Sequence, residues 1–232
     1  MSIWGLVLLS SLATTSSPSI NVDATIVAGD RCVNADRPAP GTRILRLHLV
    51  DEAGLAYDVR HELMGESARI WQSSAVSVRW SGDPKGAAQD AIADVSSGST
   101  GPEVADIYVT VAGELPAPHP VSQRRPLAEI LFTNGVPTTH ITAYPREAER
   151  LLDGVKWDNQ AFTERPMRMR HQLLGRILGR AVAHELGHYV SKSRDHAKTG
   201  LMRATLRTDE LIAPSDAYTR DFAAGVAVCA AK

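Results

Sequence analysis

Residues 181–190 read Ala-Val-Ala-His-Glu-Leu-Gly-His-Tyr-Val and contain the pattern HExxH. In this pattern His184 and His188 are four residues apart. On an α-helix that spacing places two side chains about 40° apart around the axis, so both imidazoles can point at one metal ion. Glu185 lies between them and can take a proton from a water at the metal's open position. The pattern therefore predicts a zinc site with hydrolase chemistry.

The sequence before the pattern predicts the long helix that carries it. Apolar residues recur at helical spacing at Leu173, Leu174, Ile177, Leu178, Ala181 and Val182. We expect one helix from about Met167 to Ser191. Histidines and a glutamate on so apolar a helix are costly to bury without a partner, and a metal ion supplies one. Gly175, Gly179 and Gly187 lower the helix propensity, which predicts close packing against another element.

The third ligand is expected after the end of this helix. A catalytic zinc usually has three protein ligands and keeps its fourth position for water. His196 follows the helix at a point where the chain can turn back, so we predict that it completes the site. A carboxylate third ligand, Asp195 or Glu210, would instead indicate a different HExxH zinc hydrolase. Each histidine is expected to bind through Nε2 and to need an acceptor for its other ring nitrogen.

The residues from His184 to Met202 resemble the signature of the metzincin zinc metallopeptidases, and of their matrixin-like members in particular. That signature is HExxHxxGxxH followed by a turn with a methionine under the metal. In this chain the glycine and third-histidine positions carry Ser191 and Arg194, and His196 lies twelve residues after His184. Met202 lies eighteen residues after His184, close to the matrixin-like position.

The resemblance implies both an activity and a set of roles. It implies a zinc-dependent peptidase that hydrolyses peptide bonds, with one catalytic Zn²⁺ and Glu185 as the general base. Met202 would lie under the metal as a structural residue. A peptide or protein substrate would lie extended along an edge strand, for which Leu127–Phe132 or its neighbouring strand is the candidate. A zinc-stabilised binding protein without turnover is the alternative, although the intact Glu185 argues against it.

The order of predicted elements also resembles the metzincin catalytic domain. We expect an α+β fold in which a twisted mixed sheet is crossed by a long helix, followed by the active-site helix and a C-terminal helix. The strands are predicted at Arg43–Val50, Ala75–Trp80, Ala105–Val111, Leu127–Phe132 and His140–Tyr144. Besides the zinc helix, helices are predicted at Leu55–Gln72, Pro145–Leu152 and Ser215–Val228.

The N-terminal residues suggest export. Residues 1–13 form a short apolar run with a small-residue end, which predicts a signal peptide and a secreted or periplasmic protein. Residues 14–41 are rich in Ser, Thr, Pro and Gly and predict a flexible lead-in, so the catalytic domain would span residues 42–232. Cys32 and Cys229 are expected to form a disulfide. Free thiols, or a cysteine switch like that of matrixin pro-regions, are the alternatives.

The composition is that of a globular protein with one domain. The chain has 232 residues, of which 44% are hydrophobic and 22% charged, and its formal net charge is -1. With no basic surplus, a nucleic-acid partner is not expected. The apolar N-terminus is shorter than the about 20 residues that a membrane span needs, so stable membrane insertion is not expected. We interpret the basic clusters at 165–170 and 176–180 as solvated helix faces.

Overall fold

Five strands form one sheet in the computed structural model of the chain, which describes residues 43–72, 74, 76–81, 103–115, 125–157 and 160–215. The strands are β1 (Arg43–Asp51), β2 (Val76–Trp80), β3 (Val104–Val111), β4 (Ala128–Thr133) and β5 (Val136–Ala143). Their order in the sheet is β2-β1-β3-β5-β4, and all pairs are parallel except β4 with β5. The α+β class and the mixed sheet are thus confirmed, and β4 is an antiparallel edge strand.

The helices follow the expected order, with one addition. They are α1 (Tyr57–Trp71), α2 (Pro145–Asp153), α3 (Met167–Ser191) and the short α4 (Thr208–Ile212). A two-stranded ribbon, β6 (Lys156–Trp157) with β7 (Gln160–Ala161), and a 3₁₀ turn (Phe162–Glu164) precede α3. The bounds of α3 are those predicted from the sequence, whereas α4 was not predicted. The helix expected over 215–228 lies, apart from its first residue, outside the described residues.

The connection between β4 and β5 is a two-residue hairpin, which corrects the predicted start of β5. Asn134 and Gly135 have φ angles of 52° and 80°. Two successive positive φ angles are typical of a type I′ turn, whose twist lets the strands pair directly at either side. Thr133 therefore pairs with Val136, and β5 begins there. The prediction that this strand starts at 140 was wrong because the turn is shorter than the turn-rich sequence indicated.

Helices α1 and α3 pack side by side on one face of the sheet. Alternate strand residues are fully buried beneath them, among them Leu45, Leu47, Ile107, Val109, Val111, Ile141 and Ala143. The period of two is that of strands with one face in the core. The sheet therefore presents a single apolar face to the helix that carries the HExxH pattern.

Two glycines of α3 let it approach α1 closely, as their positions predicted. A Cβ at Gly175 would lie 2.6 Å from the carbonyl oxygen of Val59, and a Cβ at Gly179 would lie 2.8 Å from the Cβ of Glu66. Contacts this short have no room for a methyl group. The absence of a side chain at both positions therefore sets the distance between the two helices.

Arg180 is buried, which corrects the solvated-face interpretation of the basic cluster at 176–180. The side chain of Arg180 has no exposed surface, and its Nε donates to Glu66 Oε1 at 2.7 Å. Its terminal nitrogens donate to the carbonyl oxygens of Glu210 and Ala213. A guanidinium tolerates burial when a carboxylate and carbonyls satisfy its donors. Arg180 therefore joins α3 to α1 and to the segment around α4.

The expectations for both ends of the chain lie outside the described residues. They concern the signal peptide at 1–13, the lead-in at 14–41, and Cys32 with Cys229. In the part of the chain that the structure describes, no helix combines the length and the apolar character needed to cross a membrane.

Gly179→Ala is expected to lower the free energy of unfolding by about 1–3 kcal/mol, because the added methyl group forces α3 away from α1. Gly65→Ala on α1 is the matched control. There the new Cβ would meet only the end of the Arg69 side chain, at 3.7 Å. It should raise the free energy of unfolding by about 0.5–1 kcal/mol through helix propensity. Urea unfolding measures both, and equal effects of the two variants would contradict the close approach.

Candidate metal centre

Three histidines lie together at the C-terminal half of α3. One ring nitrogen from each of His184, His188 and His196 can be chosen so that the three atoms all lie within 4.8 Å of one another. His188 is buried, His184 is half-buried and His196 is exposed. The structure thus brings together the three residues that the sequence named as ligands, and the group can hold a metal ion.

The chain reaches this arrangement by turning directly after α3. Lys192 caps the helix in the left-handed conformation, with φ 53°. Further on, the N–H of Ala197 donates to the carbonyl oxygen of Met202 at 2.7 Å and closes a tight loop. Gly200 has φ 76°, a conformation that glycine adopts without strain. The segment 192–202 therefore stays beside the helix, and His196 directly precedes the residue whose N–H closes the loop.

Two backbone carbonyls of this segment fix the ring orientations on α3. His184 Nδ1 lies 2.7 Å from the carbonyl oxygen of Leu201, and His188 Nδ1 lies 2.8 Å from that of Ser193. A carbonyl oxygen only accepts hydrogen bonds, so both Nδ1 atoms carry the proton. Each neutral ring then has its lone pair on Nε2. These two acceptors are the partners that metal-binding histidines need and that the sequence could not identify.

The two Nε2 atoms face each other at 3.2 Å. Burial lowers the pKa of His184 to about 4 and also lowers the pKa of His188, so both rings are neutral at neutral pH. With both protons on Nδ1, neither Nε2 can donate a hydrogen bond to the other. Two facing lone pairs repel unless a cation lies between them. The donor set therefore fits a metal ion.

Glu185 lies beside the histidines and is anchored to the edge of the sheet. Its Oε2 accepts a hydrogen bond from the N–H of Ile130 on β4 at 3.0 Å. Burial raises its pKa to about 8, the hydrogen bond from Ile130 opposes this shift, and the nearby Glu129 carboxylate adds to it. Glu185 lines the same cavity as His184 and His196. It is therefore a carboxylate that holds a proton readily next to the candidate metal centre.

Strand β4 turns one edge toward this site. The carbonyl oxygen of Leu127 accepts from the N–H of Tyr144 on the β5 side, whereas the N–H of Ile130 points the other way, to Glu185. Backbone groups two residues apart on a strand point in the same direction, so Ala128 also faces this free edge. The edge strand expected at Leu127–Phe132 thus lies beside the histidine cluster.

Met202 is buried against α3 at Gly187. The residue is only 3% exposed. A Cβ at Gly187 would overlap the Met202 sulfur and would lie 2.9 Å from its Cε. Gly187, the third glycine of α3, therefore leaves space for the side chain of Met202 from the following loop.

The other acidic and basic residues near the cluster have partners of their own. Arg194, at the position where metzincins have their third histidine, lies over the ring of Phe132 at 4.5 Å. Asp195 accepts a hydrogen bond from Ser193 Oγ at 2.9 Å. Glu210 Oε2 accepts from the N–H of Arg207 at 2.7 Å. Both carboxylates that the sequence offered as rival ligands thus have a hydrogen-bond donor of their own, although Asp195 is close enough to His188 for its charge to favour the protonated ring.

Comparison with known proteins gives no significant match, either to a family model or to a curated protein or solved structure. The metzincin resemblance therefore rests on the sequence, chiefly on the residues from His184 to Met202.

In metal-free protein, Glu185→Gln is expected to raise the free energy of unfolding at pH 8 and to change it little at pH 4.5. The folded pKa of about 8 lies above the ordinary value of 4.5. The protonated carboxyl therefore stabilises the fold fully below pH 4.5, and this contribution is lost as the pH rises through 8. Glutamine keeps an acceptor for Ile130 and does not ionise. Urea unfolding in chelator across this range measures the difference, and a difference independent of pH would contradict the raised pKa.

Proposed function

We propose that this protein is a zinc-dependent peptidase whose metal is held by His184, His188 and His196. The observation that carries the proposal is the pair of unprotonated Nε2 atoms 3.2 Å apart, with Glu185 beside them. In a tetrahedral zinc site with Zn–N bonds of about 2.0–2.1 Å, two ligand nitrogens lie about 3.3–3.4 Å apart. Three neutral imidazoles are also a ligand set that suits zinc.

His196 would supply the third nitrogen from outside the helix. Its ring centroid lies 4.9 Å from that of His188 and 5.3 Å from that of His184. The loop that carries it is closed by the Ala197–Met202 hydrogen bond and also provides the Leu201 carbonyl for His184. The candidate third ligand and the acceptor for His184 Nδ1 thus come from one short segment, which supports a single preorganised site.

A bound zinc ion supplies Lewis acidity, which acidifies water and polarises a scissile carbonyl. Glu185 acts as the general base. The hydrogen bond from Ile130 fixes Oε2, which leaves Oε1 to take a proton from the attacking water and to deliver it to the departing amine. A neighbouring positive charge lowers the pKa of a carboxyl group. The pKa of Glu185 is about 8 in the metal-free site. A bound metal ion would lower this pKa toward neutrality, which is the range suited to a general base at neutral pH.

A peptide is the substrate class that the free edge of β4 favours. An extended chain can add to such an edge through main-chain hydrogen bonds, with its scissile bond next to Glu185. The backbone of Ala128 faces the same side, and Ala128 lines the cavity beside Glu185. The proposed setting is secreted or periplasmic, on the strength of the N-terminal sequence.

Glu185→Gln is expected to reduce peptide hydrolysis by about 10²–10⁴-fold or more while zinc content stays at the parental level. The reason is that the carboxylate acts on water and not on the metal. Glu149→Gln, which neutralises an exposed carboxylate on α2, is the matched control and should behave like the parent. Hydrolysis of a quenched fluorescent peptide and metal analysis of the same samples measure both properties.

Two results would contradict the proposal in different ways. Parental hydrolysis by zinc-loaded Glu185→Gln would remove Glu185 from the chemistry. A zinc-loaded parent that cleaves no peptide would favour the alternative, a zinc-stabilised binding protein without turnover.

A further inference from the structure

The candidate metal centre opens into a cavity of about 1040 Å³. From His184, Glu185 and His196 it extends between the start of β4, helix α2 and the segment 203–211. Much of its wall is apolar and is formed by Leu127, Leu151, Ala181, Leu206 and Leu211. The cavity therefore offers space for a side chain of a peptide bound beside the metal.

Two of the arginines that line this cavity, Arg125 and Arg150, share one glutamate, Glu147. Glu147 on α2 has a side chain only 5% exposed, and its Oε1 accepts a hydrogen bond from Arg125 Nη1 at 3.1 Å and another from Arg150 Nη1. Burial tends to raise the pKa of Glu147, but the hydrogen bonds from Arg150 and Arg125 outweigh it and hold the pKa below its usual value. Glu147 is therefore ionised at neutral pH, and the three groups together have one net positive charge.

The other two arginines of the cavity wall have a carboxylate each. Arg203 pairs with Glu210 at 2.5 Å, and Arg207 pairs with Asp209. Arg125 and Arg150, in contrast, share the single carboxylate of Glu147. A guanidinium has five N–H donors, so both keep donors after binding Glu147. Their side chains are 48% and 56% exposed, which leaves these donors accessible.

Building on the proposed peptidase function, we propose that this cavity binds a carboxylate of the substrate next to the scissile bond, through Arg125 and Arg150. The carboxylate belongs either to an Asp or Glu side chain or to the C-terminus of a short peptide. Guanidinium groups bind carboxylates through paired, charge-assisted hydrogen bonds. The apolar wall receives the methylene groups that precede the carboxylate. Glu147 positions the two arginines, and its own charge is more than balanced by them.

The first test is a cleavage profile of the zinc-loaded protein followed by matched synthetic peptides. At one position beside the scissile bond, Asp should be preferred over Asn by about tenfold or more, as expected for charge-assisted hydrogen bonds. The ratio should fall close to one in Arg150→Gln and in Arg125→Gln. Arg146→Gln, also on α2 but paired with the exposed Glu114, is the matched control and should keep the ratio.

Two sets of peptides separate the sources of the carboxylate. In peptides with an amidated C-terminus, a preference for Asp assigns the cavity to an acidic side chain. In peptides that lack acidic side chains, a preference for a free C-terminal acid over its amide assigns it to the C-terminus. No preference in either set, with hydrolysis intact, would overturn the inference and leave the peptidase proposal standing.

The second test measures binding without turnover. Zinc-loaded Glu185→Gln should bind a fluorescent Asp peptide about tenfold more tightly than its Asn counterpart, and the added change Arg150→Gln should remove the difference. This result would support the carboxylate site even if the parent cleaves no peptide, in which case the peptidase proposal alone would fail. Equal binding of the Asp and Asn peptides, together with equal binding of a free C-terminal acid and its amide, would overturn the inference, and so would no binding of any of them.

Discussion

The hydrogen bond from His184 Nδ1 to the Leu201 carbonyl is the contact on which the candidate site depends. It fixes the tautomer of His184, and the Ser193 carbonyl does the same for His188 at the end of the helix. Both Nε2 lone pairs then face one point in space. Because the same loop carries His196, one folded segment both orients two ligands and supplies the candidate third. The loop adds His196 to the two histidines of α3, so that three nitrogen ligands for a metal lie together.

This geometry requires α3 to lie in a fixed position between its neighbours. Gly179 lets α3 approach α1, while Gly187 makes room for Met202 on the loop side. Arg180 joins α3 to Glu66 and to the segment around α4. The residues that pack α3 against its neighbours therefore lie on the same helix, within a few positions of the candidate ligands and Glu185. A shift of α3 against α1 would move Glu185 away from the N–H of Ile130, so stability and site geometry are coupled through one element.

The sequence predicted the elements with strong local signals and missed the contacts that depend on distant partners. The apolar spacing around Leu178 and the pattern from His184 predicted both ends of α3 correctly. The acceptors of the histidines are backbone atoms, which have no sequence signature. Arg180 looked solvated because its partner Glu66 is 114 residues away in the chain. No local pattern pointed to the pairing of Arg125 with Glu147, which lie 22 residues apart. Local patterns identify a ligand-bearing helix, but only the tertiary fold shows which charges are paired.

Zinc titration of the purified protein tests the central proposal, that three histidines form one metal site, most directly. The parent should bind one zinc ion per chain tightly, and His184→Ala, His188→Ala and His196→Ala should each weaken binding strongly. Asp195→Ala is the control, since its carboxylate accepts a hydrogen bond from Ser193 Oγ and should leave the affinity nearly unchanged. Full zinc affinity in His196→Ala together with a loss in Asp195→Ala would contradict the three-histidine site, and so would a parent that binds no zinc.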